Sequence, residues 1–536
     1  MLLSAVILGF GLAASVWADP VPSRDQELGA VASESSVCCA IGIDVLREGG
    51  NAADAVCPPS FGIINCKTNG KQLIAQQFCV GVIGMYHSGV GGGGFMLVRS
   101  SNGSYEFIDF RERAPAAAFE TMYSPPLSNS NYSLYGGLAS GVPGELHGLD
   151  HLHKKYGTLP WKHLMQPAIK LARYGFNVTA DLVRYMASAT AGSYDFLTND
   201  ETWALDFAPN GTRLGLGDVM TRKRYANTLE SIAEYGPDAF YKGAIANATI
   251  TALQKSNGTM TLADLANYTV EIRQTSNITY RGFRIHSGSA PSSGAVVLSI
   301  MKVIEGYDMS SPSQLNFSTH YLDEGMRFAY GQRTLLGDPT FSPNLTDYQI
   351  KMYSEQTAEE VRSKIEEFHT LNASSYDPDG YGILTDSGTS AGVASDKSGL
   401  TIAITSTVNT LFGSQLMVPE TGVIMNNEMN GTIPLFASPN FEANVLRTRL
   451  QHPQHHKRIR LHPNGSKLHR ALQTPTVFHL PHHRRVPQRH HLPLPRLSWW
   501  IPYYHRSSTA PVARARPEHD LNSKSCSAPD ARSVES

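Results

Sequence analysis

The sequence predicts an α+β chain on three observations. A glycine run feeds apolar strands over residues 93–110, helical periodicity fills most of 144–370, and β-branched runs return over 389–409. Strands at both ends of a helical block are the pattern of an α+β protein. With 536 residues, 41% hydrophobic and 17% charged, the chain has sequence enough for a large core and reads as neither disordered nor a membrane bundle. The net charge of −1 is a sum of unlike parts. Residues 447–536 carry 16 Lys+Arg against 4 Asp+Glu and hold 12 of the 20 His, whereas 1–446 carry 29 basic and 42 acidic residues.

Taken in order, residues 1–18 form an uncharged apolar run ending in Val16 and Ala18, which reads as a signal peptide cut before Asp19. Twelve Asn-X-Ser/Thr sequons between Asn102 and Asn430 agree with passage through the secretory pathway, to the exterior, the cell surface or a vacuole. In such a compartment the clustered Cys38, Cys39, Cys57, Cys66 and Cys79 pair with one another rather than bind metal. No metal or cofactor is expected. Residues 35–50, SSVCCAIGIDVLREGG, read as a short helix stopped by glycine.

The run HSGVGGGGFMLVR (87–99) reads as a tight turn entering a strand. A phosphate loop is the sharper alternative, but no Lys-Ser/Thr follows. A second strand covers 105–110. The segments 144–157, 162–176, 320–336 and 357–371 then carry apolar residues at helical spacing, with His147, His151 and His153 read as surface histidines of the first. Turn formers dominate 372–388. Two strands follow, 389–395 and 400–409, around the turn 396–399.

A threonine at the start of such a hairpin, preceded by Gly388 and an exposed loop, permits one specific chemistry. An N-terminal threonine carries both halves of nucleophilic catalysis, because its hydroxyl attacks while its own α-amine, of pKa about 8, takes the proton. Freeing that amine requires a cut between Gly388 and Thr389. A Gly-Thr pair at a strand start usually marks nothing beyond a turn.

Several motifs identify more. GAVASES (29–35), REGGNAADAV (47–56), the stretch 78–115 including FIDFRERAP, GGLASGVPGELHGL (136–149), Gly388-Thr389-Ser390, ITSTVNTLFGS (404–414) and ETGVIMNNEM (420–429) together resemble the γ-glutamyltransferase (glutathione hydrolase) family of the fungal type. The resemblance covers about residues 29–430. It implies a four-layer αββα N-terminal-nucleophile hydrolase, made as one chain that cleaves itself between Gly388 and Thr389 into a large and a small fragment that remain together as a heterodimer. By the same resemblance Thr389 is the nucleophile and Thr407 its hydrogen-bonding partner. Arg111 grips the substrate α-carboxylate, which suits a planar guanidinium. Asn409 and Glu428 hold the α-amino end, and Cys38 and Cys79 form the disulfide. Without the resemblance, Arg111 reads as a surface ion pair and Glu428 as a solvated loop acid. The partners implied are glutathione and other γ-glutamyl compounds, with amino acids or dipeptides as acceptors, and no nucleic acid.

The chain departs from the family pattern in three ways. Residues 57–77, beginning Cys-Pro-Pro, interrupt a helix and read as a retained intron. Ala391 and Gly431 stand where the family has histidine and aspartate. After about residue 445 the pattern stops, and with it the Ser-Ser pair and the Gly-Gly oxyanion donors, the latter typically worth ~3–4 kcal/mol in the transition state. The sequence therefore divides into a signal (1–18), a large-fragment region (19–388), the start of a small one (389–446) and a basic His/Pro-rich tail (447–536). The tail resembles coding sequence read out of frame, the alternatives being a disordered nucleic-acid or heparin-binding tail or a metal-binding His tract. A secreted but inactive member of the family, with a truncated small fragment, is the alternative to an active enzyme.

Overall fold

The computed structural model describes residues 29–53, 73–119, 121–123, 130–192, 194–311, 315–342, 344–378, 380, 389–430 and 503–505. The signal segment, residues 57–72, Gly388 and nearly all of the tail lie outside the described residues. The strands are β1 Gly29–Ala32, β2 Gly93–Arg99, β3 Tyr105–Phe110, β4 Phe176–Asn177, β5 Val219–Met220, β6 Glu271–Arg273, β7 Thr275–Tyr280, β8 Phe283–Gly288, β9 Ser390–Asp396, β10 Thr401–Thr407 and β11 Tyr503–His505.

Six of them form one antiparallel sheet in the order β1-β9-β10-β2-β3-β6. Residues directly opposite across a pair share a face, so the register sorts the side chains. Ile402, Ile404 and Ser406 lie opposite Val98, Met96 and Gly94, and these lie opposite Glu106, Ile108 and Phe110. The helices Ser36–Arg47, Leu73–Ile83 and Glu145–Tyr156 pack along this sheet and bury its apolar face in the main core. The other face carries Thr405, Thr407, Phe95, Phe107 and Tyr105.

A second sheet, β11-β8-β7, packs toward that other face. Tyr105 stacks on His286 with centroids 3.6 Å apart, and Phe107 packs against Gly288. Behind this sheet the helices Gly294–Glu305 and Leu315–Arg333 close the molecule with their own apolar clusters. The result is helix, sheet, sheet, helix, the four-layer α+β architecture expected. Cys38 and Cys79 form a disulfide between the first two helices, with Cα atoms 5.5 Å apart. No helix among the described residues is long and apolar enough to cross a membrane.

The structure differs from the sequence reading in three details. The helix Leu73–Ile83 takes in residues 73–77 of the stretch read as foreign, because Ile74 and Ala75 are fully buried in the core. The periodicity of 357–371 yields only a helix Glu355–Arg362, since Ile365 and Leu371 fold back onto the cluster around Val303 and Phe328. The three histidines are not free surface groups. His147 is half-buried on Tyr241, His151 lies 3.0 Å from Glu106, and His153 bonds the Leu159 carbonyl.

Candidate active site

The β9–β10 hairpin is closed by an Asp turn. Asp396 Oδ1 accepts from the Ser398 amide at 2.7 Å, and Gly399 adopts φ +83°, where a Cβ would be strained. Counting back from this turn fixes the register, with Ser390 opposite Ser406. Thr407 is the next residue of β10, on the face between the two sheets, and Thr389 directly precedes β9. Thr407 is 2% exposed and Thr389 half-buried. The Thr407 Oγ1 accepts from the Asn409 amide at 2.8 Å, which leaves its own proton to donate. The glycine run supplies the space. A Cβ on Gly92 would fall 2.1 Å from the Thr407 carbonyl oxygen and one on Gly94 1.9 Å from that of Thr405, so only glycine lets these two residues lie against β10.

Arg111 leaves the end of β3 on the same face, its guanidinium 5.7 Å from the Phe95 ring centroid. Its Nη2 donates to Glu428 Oε2 at 2.6 Å, and its Nε stands 3.7 Å from Glu112. Burial works against the Arg111 charge, but the carboxylates of Glu428, Glu112 and Asp109 outweigh it and raise the pKa above its ordinary value. Glu112 is fully buried, and neither carboxyl oxygen has a hydrogen-bond partner among the described residues. Burial, with the Glu428 charge added, holds it well above the usual carboxylate range. A shallow cleft opens over these groups, lined also by Gly141 and Met429.

Asn409 sits at φ +76°, a conformation that asparagine tolerates better than most residues. Its Nδ2 donates to the Asn427 carbonyl at 3.0 Å, so in this state the side chain ties two loops together. The neighbouring Asn426, fully buried, donates to the carbonyls of Gly91 and Gly141 and accepts from the amides of Gly141 and Glu428. Asn427 bonds Leu134 and both the amide and hydroxyl of Thr410. The sequence reading passed over both asparagines, although each lies inside the quoted ETGVIMNNEM motif.

It also missed a buried polar chain beneath Thr407, on the helix side of β10. Gln77 Nε2 donates to Ser88 Oγ at 2.9 Å, Ser88 and Ser406 hydroxyls lie 2.7 Å apart, and Ser406 donates to Glu145 Oε2 at 2.9 Å. Since an amide NH₂ is only a donor, the protons run one way, from Gln77 toward Glu145. Burial pushes the Glu145 acid up to about 8, against the lowering effect of Ser406 and Gln77. Nothing local in SGVPGELHGL marks this acid, whose partner Ser406 lies 261 residues further along the chain.

Of the residues picked from sequence, Arg111 and Glu428 meet directly, Asn409 bonds Thr407 and the carbonyl of Asn427 beside Glu428, and Thr389 directly precedes β9. The gamma-glutamyltranspeptidase family model matches residues 38–460, which reaches past residue 445. The chain is 52% identical over 414 residues to a glutathione hydrolase proenzyme of Arthroderma benhamiae, covering 77% of this chain and 69% of that one. It is 44% identical over 478 residues to a glutathione hydrolase of Aspergillus flavus, covering 87% and 76%. The fold resembles the gamma-glutamyltranspeptidase of Helicobacter pylori at TM-score 0.57 and 31% identity, over 64% of this chain and 93% of that one. It also resembles a cephalosporin acylase of Bacillus halodurans at TM-score 0.64 and 25% identity, over 82% and 75%. The chain belongs to the gamma-glutamyltranspeptidase family.

Proposed function

We propose that the protein is a glutathione hydrolase and γ-glutamyltransferase that matures by cutting its own chain between Gly388 and Thr389. Two observations support the reading: the hairpin register, which pairs Ser390 with Ser406 so that Thr389 and Thr407 are the next residue on each side, and the Arg111–Glu428 contact at 2.6 Å. In the mature enzyme the Thr389 hydroxyl attacks the γ-carbonyl carbon of the donor while its α-amine takes the proton. The C–N bond then breaks, the leaving amine of the cysteinylglycine part carries that proton away, and a γ-glutamyl ester remains on Thr389. Water, an amino acid or a dipeptide attacks the ester and regenerates the threonine. Thr407, whose lone pair is engaged by the Asn409 amide, donates its proton to Thr389 Oγ1 and orients it.

The donor's α-amino acid head group is a zwitterion, and the Arg111–Glu428 pair is a matching one. Arg111 takes the carboxylate and Glu428, with Asn409, takes the ammonium. The two fragments stay associated, since β9 and β10 sit at the centre of a sheet whose other strands belong to the large fragment. The enzyme works in the secretory pathway or beyond it.

Maturation and activity are tested together. Amino-terminal sequencing of the purified protein is expected to find a fragment beginning at Thr389, and γ-glutamyl-p-nitroanilide is expected to be hydrolysed by wild type and not by Thr389→Ala. Uncut chain alone, or turnover that survives Thr389→Ala, overturns the reading.

A further inference from the structure

Arg111 lies one residue beyond the end of β3, where no sheet ladder holds its main chain. Two side chains do so instead. Its amide donates to Asp109 Oδ1 at 3.0 Å, and its carbonyl accepts from the Tyr268 hydroxyl at 2.8 Å. Each of these is itself fixed. The other Asp109 oxygen accepts from Arg273 Nε at 2.6 Å, and Arg273 Nη2 reaches Asp338 at 3.3 Å, with Asp109 and Asp338 side chains 1% exposed. Tyr268 is 4% exposed, in a parallel stack with Tyr241 and His147, and the Arg113 guanidinium lies 5.4 Å from its ring centroid. Gly144 makes room for it, since a Cβ there would meet the Tyr268 hydroxyl at 2.1 Å.

A guanidinium on a long side chain loses much of its rotamer freedom when it is held. Fixing both peptide groups around Arg111 sets its Cα–Cβ direction before any ligand arrives, so less ordering remains to be done on binding. The clamp comes from residues 268–273, the segment that enters β6, and β6 pairs with β3 at Asp109↔Glu271 and Phe107↔Arg273. Strand pairing and clamp are thus one device, made of side chains remote from the threonine.

We infer that Tyr268 and the Asp109–Arg273 pair are positioning residues that aim Arg111 at the carboxylate of the γ-glutamyl donor. The inference rests on the proposed role of Arg111. Equilibrium binding of L-glutamate and of 4-aminobutanoate, which is glutamate without its α-carboxylate, reads the role directly and needs no turnover. Calorimetry on the whole purified protein is expected to show Tyr268→Phe weakening L-glutamate about 10-fold, the effect of leaving one buried carbonyl without its donor. 4-Aminobutanoate binding is expected to stay within about twofold. Asp109→Asn, with its ion pair broken, repeats the pattern more strongly, and Arg111→Lys weakens glutamate at least as much. Undiminished glutamate binding by Tyr268→Phe and Asp109→Asn, while Arg111→Lys loses it, overturns the clamp alone. Equal losses for both ligands also overturn it, as general damage to the fold. Glutamate binding indifferent to Arg111→Lys, or absent from wild type, overturns the reading of Arg111 and the clamp with it.

Discussion

Arg111 and Glu428 stand 317 residues apart in the chain and meet at 2.6 Å. In the absence of a ligand each neutralises the other, and with side-chain exposures of 16% and 5% neither is well solvated. A ligand carrying a carboxylate and an ammonium replaces one ion pair by two. Breaking a buried pair from one side costs up to about 3–5 kcal/mol, less here because Glu112 stands 3.7 Å from Arg111, so Glu428→Gln alone is expected to lower both the thermal midpoint and the affinity for L-glutamate. The double variant Arg111→Met with Glu428→Gln is expected to recover the midpoint but none of the affinity. Recovery of both, measured by calorimetry and thermal unfolding, would show that the pair only holds the loop.

Thr407 offers a sharper test because valine is nearly its shape. Thr407→Val keeps the buried volume, but the Asn409 amide loses its acceptor and the proposed nucleophile loses its donor. The expected result is a mature fragment that accumulates slowly and a kcat about 100-fold lower, within the range for a lost proton-handling group. Thr407→Ser is expected to restore most of both. A valine variant that matures and turns over at the wild-type rate removes Thr407 from the mechanism.

The parts legible in the sequence were those governed by local rules. β-Branched residues around an Asp-Lys-Ser-Gly turn made the β9–β10 hairpin, and the glycine run announced a close backbone approach. The resemblance supplied Arg111 and Glu428. What it did not supply was their mutual pairing, which depends on two segments meeting across the fold. Asn426, Tyr268 and Glu145 were invisible for the same reason. An asparagine, a tyrosine and a glutamate at those positions have no periodicity to mark them, and their meaning lies in partners such as Gly91, Arg111 and Ser406 far along the chain. The helix lost after Arg362 is the converse case, in which helical spacing was real but the apolar residues found a tertiary partner instead.

Asn426 joins the glycine run, the Gly141 turn and the Glu428 loop through four hydrogen bonds while fully buried. Asn426→Asp keeps the two acceptor contacts but turns the donors toward Gly91 and Gly141 into a carboxylate facing carbonyls. Each unsatisfied or repelled buried group costs about 1–3 kcal/mol. The variant is therefore expected to be several kcal/mol less stable and to remain largely uncut, as seen by denaturant unfolding and by gel. A variant within about 1 kcal/mol of wild type would mean that the loops are held elsewhere.

Glu145 leads to a pH effect whose sign follows from its burial. Its acid is raised to about 8, above the 4.5 ordinary for an exposed glutamate. Between these values the folded chain holds a proton that the unfolded chain has lost, so rising pH favours unfolding by at most about 1.4 kcal/mol per unit. The contribution is fully present below 4.5, is lost as pH climbs to about 8, and changes no further above that. Position favours the opposite, since Glu145 opens the helix Glu145–Tyr156, where the amide dipoles stabilise a negative charge. Such dipole effects are about 0.3–1 kcal/mol at exposed sites, too little to offset complete burial. The other titratable groups around it are Tyr225, Tyr241 and Glu112, all buried and themselves shifted up, so none supplies a positive charge. Glu145→Gln keeps an acceptor for Ser406 and cannot ionise. Its urea midpoint relative to wild type is expected to rise steadily from pH 5 to pH 8 and then level off. A constant difference across that range would mean that Glu145 is already ionised in the folded protein, and that the chain from Gln77 ends on a charge.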